Sequence, residues 1–508
     1  MSSIKKLAGQ TMWYGLPTIG SRFLGYILNF SLSFIYKAVD TADLTQIYAI
    51  VPFLNILFTY GVETSYFRFV QDHDKNKLYN TLNVSVLFST ILFSILLLLC
   101  AQTLADATAM PAHPEYFTWL TGIIVLDTLA TLPFAKLRQE GRPKKYAFVR
   151  VAGIVVNVVI VVFFIGICPQ IAKKEPGSLL LIFYDPKIGI GYYLIGNLIG
   201  SAVTFLLLWK EWISFHFSFD KELWKKVMHY AYPLIIVGMG GMINEMLSRL
   251  VYQHVATIPP AEAKRQLGIF AANYRLAVLI TIFIQMFRMA AEPFFFNQSK
   301  DGNAKKTYAR VMKFFVIACC FMFLFIGLFL DVFKEILTIK FKEYGEGIHI
   351  VPILAMGSVF LGIYYNLSVW YKLTNKNLYG AGITIAGAVL TVLLNIWWIP
   401  KFGYTGSAWA TFSCYAFMMV TSYLLGQKMY PIPYVKKKLI AYLVLTTLIF
   451  FLHKGMLLVF DNIYFSVATA ILLLGAFGWF VGNVERKEFQ QFPVVGRFFK
   501  PPVAGTVS

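Results

Sequence analysis

Apolar runs of about twenty residues recur from one end of this sequence to the other, and that recurrence decides what it can fold into. Each run is long enough to cross the roughly 30 Å hydrocarbon core of a bilayer as a helix. Peptide groups in hydrocarbon find no water, so a continuous apolar run satisfies its backbone by becoming helical, whereas barrel strands would alternate. Composition agrees. Of the 508 residues, 58% are hydrophobic and only 14% are charged, against roughly 45–50% and about 25% in soluble domains. No stretch has the polar surface to cover a soluble domain. The sequence predicts an all-α integral membrane protein with about fourteen transmembrane helices.

The runs fall into groups. Six lie within residues 1–209, a hydrophilic connector covers 210–229, six more lie within 230–427, and a final pair lies within 428–508. The first run, 11–36, follows Lys5 and Lys6 and contains Arg22. It is too long for the apolar part of a signal peptide, about 7–15 residues, and reads as a membrane helix. Lys and Arg concentrate in alternate connectors (136–150, 210–226, 300–313 and 436–438) and in the tail with Arg486, Lys487, Arg497 and Lys500. The positive-inside rule then puts both termini in the cytoplasm. The net charge of +20 is spread over these loops, as anchors near anionic headgroups rather than as a nucleic-acid surface. Cys319, Cys320 and Cys414 lie inside apolar runs and Cys100 and Cys168 at helix ends. No metal-ligand spacing occurs, so no metal or other cofactor is expected.

The two groups of six repeat each other. The first opens Tyr14-Gly-Leu-Pro17 and the second Tyr230-Ala-Tyr-Pro233. Phe67-Arg68 near the end of the second run has its counterpart in Phe287-Arg288 of the eighth. Six crossings return the chain to its starting side, so the two copies share orientation and should be related by an axis along the membrane normal. Transporters built this way place the substrate path between the halves. Pro17 and Pro233 are expected in the first turns of their helices, either as ordinary helix-start prolines or as hinges where the lobes rock.

A family resemblance rests on particular residues. The stretch Asn395-Ile-Trp-Trp-Ile-Pro400-Lys-Phe-Gly403-Tyr-Thr-Gly406-Ser-Ala408 resembles the signature joining two late helices in the MOP transporter superfamily, which includes MATE drug exporters, lipid II flippases and polysaccharide flippases. Residues 48–68, with Pro52, Asn55, Gly61, Glu63 and Phe67-Arg68, resemble the second helix of polysaccharide flippases, and so do residues 268–296. MATE exporters usually stop before the pair of runs that follows Gln427 here. Ser21-Arg22-Phe-Leu-Gly25 is similar to lipid II flippases, but Leu28-Asn29 stands where those typically carry Arg-Asp. The resemblance therefore points to the polysaccharide transporters, with a MATE-like small-molecule exporter or a lipid II flippase as the alternatives. It implies two six-helix lobes plus two C-terminal helices, in the cytoplasmic membrane of a bacterium. It also implies a polyprenyl-diphosphate-linked oligosaccharide as substrate, with membrane lipids, glycosyltransferases or a glycan polymerase as partners.

Charges within the runs are the candidate functional residues, because a charge at the bilayer centre costs roughly 2.5–3.5 kcal/mol and normally faces a cavity or a partner. Arg22, Arg68, Arg249, Arg275 and Arg288 are the cations. Glu63, Asp127, Glu245 and Glu292 are the acids, which either couple transport to protons or sodium or balance the arginines. Glu245 and Arg249, and Arg288 and Glu292, are spaced to share a helix face. Arg22 is the strongest single candidate, near mid-span with no partner on its own helix. Under the resemblance, Arg22, Arg68 and Arg288 receive the diphosphate. An integral-membrane enzyme would need a long external loop with catalytic residues. The longest, 169–187, offers only Lys173, Lys174, Glu175, Asp185 and Lys187, so the chain is expected not to be an enzyme.

Overall fold

The computed structural model describes residues 20–299, 301–374 and 376–490, without the side chains of residues 290, 292, 293 and 297. Pro17 and the side chain of Glu292 therefore lie outside the described residues. Among the described residues there is no strand, and twelve helices are long and apolar enough to cross a membrane. Exposed Leu92, Ile95, Val159, Leu393, Leu448 and Leu472 on their outer faces form the surface that lipid tails cover.

The helices follow the expected order. Residues 20–31 form α1, the described part of the first run. Then come α2 (Ala38–Phe69), α3 (Lys75–Leu99), α4 (Glu115–Gln139), α5 (Pro143–Val161), α6 (Tyr192–Leu207), α7 (Lys221–Val255), α8 (Pro260–Gln298), α9 (Ala304–Leu328) and α10 (Val351–Leu367). The next helical stretch, Asn377–Met429, has 53 residues. As one straight rod it would run about 80 Å, far beyond a bilayer. Gly403 breaks it with φ +55°, a backbone that glycine adopts without strain. The chain then returns beside itself, with Cys414 Sγ 3.5 Å from the Gly387 carbonyl oxygen. Residues 377–402 are α11 and 404–429 are α12, followed by α13 (Lys436–Leu457) and α14 (Ile463–Val484).

Helix starts follow local chemistry. Asp74 caps α3 by accepting from the Lys77 amide at 2.7 Å, and Asp220 caps α7 by accepting from the Leu223 amide at 2.9 Å. That second cap corrects two expectations. The connector 210–229 is shorter than expected, because α7 begins at Lys221 and lays the apolar face Leu223, Val227 and Ala231 against the first half. Pro233 is consequently not in a first turn. It sits about three turns inside α7, where its missing N–H leaves a gap in the helical hydrogen bonds.

Helix contacts repeat between the halves. In the first half α2 and α3 pack on α4, and α4 packs on α6. In the second, α8 and α9 pack on α10, and α10 packs on the α11–α12 hairpin. Across the middle, α2 packs on α8 and on α7, while α1 reaches α8 through Arg22 and Gln285. This exchange of partners, first with eighth and second with seventh, is what a two-fold axis along the membrane normal produces. The last two helices pack on α9, away from this interface.

One charged cluster fastens that final pair. Glu485 is 2% exposed and accepts from Lys313 Nζ at 2.6 Å, Lys438 Nζ at 2.9 Å and the Tyr442 hydroxyl at 2.8 Å. Lys313, itself 4% exposed, also pairs with Glu488. Burial opposes ionisation of Glu485, but the bonds from Lys313, Lys438 and Tyr442 outweigh it and hold the carboxyl below the usual carboxylate range. Because the folded-state value is depressed, the stabilisation is complete above the ordinary glutamate pKa of about 4.3 and is lost as pH falls through the folded value. Glu485→Ala leaves Lys313 buried against Glu488 alone. Removing one partner of a buried pair costs about 3–5 kcal/mol. The variant should therefore melt well below the parent in detergent, and an unchanged melting temperature would show the cluster to be dispensable.

Candidate substrate cavity

Four helices, α1, α2, α7 and α8, line a cavity of about 450 Å³ at the junction of the halves. Arg22 reaches it from α1, Tyr48 from α2, Glu245 and Arg249 from α7, and Arg275 and Gln285 from α8. Arg22 donates to the Gln285 side-chain oxygen, so the partner missing on its own helix is supplied from the other half. Arg275 donates to Ser33 Oγ at 2.9 Å. The Arg249 guanidinium stands 4.2 Å from the centroid of the Tyr274 ring, within cation–π range. Three guanidinium groups against the Glu245 carboxylate leave the cavity with an excess of positive charge. It suits an anionic group presenting several oxygens, because the planar fork of arginine matches phosphate and carboxylate geometry.

The remaining candidates stand elsewhere. Arg68 pairs with Asp72 at 2.7 Å on the surface beyond the cavity, both side chains more than half exposed. Arg288 lines a narrow crevice between α8 and α10, its guanidinium 4.9 Å from the Tyr365 ring centroid. Glu63 and Asp127 face a second cavity of about 360 Å³ inside the first half, between α2, α4, α5 and α6. There Glu63 pairs with Arg138, and Asp127 accepts from Ser201 Oγ at 2.8 Å. Thus Arg22, Arg249, Arg275 and Glu245 meet, while Arg68, Arg288, Glu63 and Asp127 do not join them. Arg150, read in the sequence as part of a basic loop, lines the second cavity because α5 starts at Pro143.

The cavity is shut off on the face where α1 ends and α2 begins. A Cβ on Gly268 would stand 1.8 Å from the Ala38 carbonyl oxygen, so α8 touches the start of α2 backbone to backbone. Around this contact Lys264 pairs with Asp43 at 2.7 Å, the Ala38 amide donates to Glu343 at 2.8 Å, and the Tyr344 hydroxyl donates to the Tyr36 carbonyl at 2.9 Å. Each of these bonds joins the two halves. None was visible in the sequence, since the partners are far apart along the chain and outside the apolar runs' central turns.

A central cationic cavity thus lies between two repeated six-helix units. Residues 7–299, more than half of the chain, match the family model described as polysaccharide biosynthesis protein. The chain belongs to that family. No curated protein matches the sequence significantly. Among solved structures, "Lipid II flippase MurJ, inward closed conformation" superposes with a TM-score of 0.66 at 14% identity, covering 94% of this chain and 99% of that one. The inward-facing conformation of a multidrug resistance MATE family transporter of the MOP superfamily gives 0.60 at 15% identity, covering 82% and 94%. A MATE structure in the straight conformation gives 0.60 at 15% identity, covering 84% and 95%. At these identities the likeness is one of fold. This family member is a multi-pass membrane protein with the fold of MOP transporters, as the sequence resemblance implied.

Proposed function

We propose that this protein carries a polyprenyl-diphosphate-linked oligosaccharide from the cytoplasmic to the outer leaflet of a bacterial cytoplasmic membrane, for surface polysaccharide synthesis. The observation that carries the reading is the meeting of Arg22, Arg249 and Arg275 around one shared cavity with a single carboxylate, Glu245, between them. A diphosphate needs several cationic donors at once, and arginines supply them in forked pairs. A cavity with excess positive charge is a poor receptor for the organic cations a drug exporter would take. Carrying the headgroup across makes and breaks no bond, so no catalytic residue is required. The lobes alternate by parting at the Gly268–Ala38 contact. A lipid II flippase would use the same diphosphate contacts and differ in the glycan it accepts.

With the purified chain in liposomes, a fluorescent polyprenyl diphosphate bearing an N-acetylhexosamine should reach the opposite leaflet faster than in protein-free vesicles. Expulsion of a cationic dye without any movement of that lipid would overturn the reading in favour of an exporter. The proposed orientation has both termini in the cytoplasm. In intact cells Lys144→Cys should resist a membrane-impermeant label, and rapid labelling would overturn that orientation.

A further inference from the structure

The cavity inside the first half plays no part in the reading above, and its chemistry differs from that of the arginine cavity beside it. Its wall is set with Asp127 and Arg150, the amides of Asn157 and Asn197, and the hydroxyls of Thr131 and Ser201. Asp127 and Arg150 are both exposed to the space and opposite in sign, and the charge of Glu63 is met by Arg138. This chamber is therefore close to neutral, where its neighbour is positive. Amides and hydroxyls both donate and accept hydrogen bonds, which suits a ligand that does the same at many points. Arg150 lies 4.4 Å from the centroid of the Phe134 ring, giving the chamber an aromatic wall as well.

The two cavities share a wall. Ser21 faces the chamber and its neighbour Arg22 faces the arginine cavity. Across α2, the Asn197 amide in the chamber donates to the Tyr48 hydroxyl that lines the other side. A substrate whose diphosphate is joined directly to hydroxyl-rich sugars has the same two chemistries in the same order. Resting on the flippase reading, we propose that the chamber enclosed by α2, α4, α5 and α6 is a saccharide-binding site. It receives the first sugars of the lipid-linked glycan while the arginine cavity holds the diphosphate. At about 360 Å³ it has room for a sugar ring or two, at the lower end of the roughly 300–1,000 Å³ common for ligand pockets.

The full chain in lipid nanodiscs tests this with two probes, a sugar-free polyprenyl diphosphate and the same lipid bearing an N-acetylhexosamine disaccharide. The parent should bind the glycosylated lipid more tightly. Thr131→Trp, which fills the chamber, should weaken the glycosylated lipid at least tenfold and the bare lipid less than twofold. Asp127→Asn, which keeps the side-chain shape, should shift affinities in the same sense and decides the matter if the tryptophan variant does not fold. Equal losses for both lipids, or no loss for either, would overturn the saccharide site. A change only in the pH dependence of transport for Asp127→Asn would also overturn it and make the chamber an ion-coupling site. Failure of the parent to bind even the bare diphosphate lipid would instead bring down the flippase reading.

Discussion

Arg22→Ala should lower transport of the lipid-linked glycan at least tenfold at subsaturating substrate. Arg22 projects into the central cavity with Arg249 and Arg275, and Gln285 holds its guanidinium in place from the other half. A hydrogen bond to a charged group is worth about 1.5–3 kcal/mol, and about 1.4 kcal/mol is a tenfold change in binding. Arg22→Lys keeps the charge and loses the fork, so it should recover only part of the rate. Gln285 is neutral, and Glu245 keeps Arg249 one turn away on its own helix, so the Ala variant should insert and accumulate normally. That makes the assay decisive. A parental rate from a normally expressed Arg22→Ala protein would mean the cluster of arginines is structural.

Gly268→Leu should nearly abolish turnover by a different route. Even a methyl group at this position would stand 1.8 Å from the Ala38 carbonyl oxygen, and the obstacle is backbone, which cannot rotate away. The halves must separate there. Overpacking of this kind costs about 1–3 kcal/mol, which moves a two-state equilibrium by roughly 5- to 150-fold. The closed arrangement, with Lys264 on Asp43 and Tyr344 on Tyr36, would be depopulated. Thr41, now fully buried beneath this contact, provides the readout. Thr41→Cys should be protected from an impermeant thiol reagent in the parent background and labelled in the Gly268→Leu background. Continued protection together with a parental transport rate would show that this contact does not close the path.

How much of the site was legible depended on where each charge sits along its helix. Arg22 lies near the middle of its apolar run, where the bilayer makes a charge expensive, and Glu245, Arg249 and Arg275, nearer the ends of theirs, meet it in one cavity. Arg68 also looked intramembrane, but it lies on the final turn of its helix, where it reaches the surface and pairs with Asp72. Arg150 and Lys313 failed in the opposite sense. Both sit in helical turns that the sequence merges with flanking basic loops, so neither stood out from the anchors around it. The acidic partner of Lys313, Glu485, is about 170 residues away along the chain, a pairing with no local signal.

The class of molecule is legible in the chain's local patterns. Apolar run length against bilayer thickness gives the helices, and six runs in each half give two similarly oriented halves. The Pro400–Gly403 turn is likewise local, because only backbone geometry decides it. Tertiary structure alone decided which charges share a cavity and that a second, near-neutral chamber lies beside the first. It also decided that Gly268 meets Ala38. These depend on helix rotation and on which faces pack together across the pseudo-two-fold axis. A helix that is apolar nearly all round carries too little periodic signal to reveal its rotation.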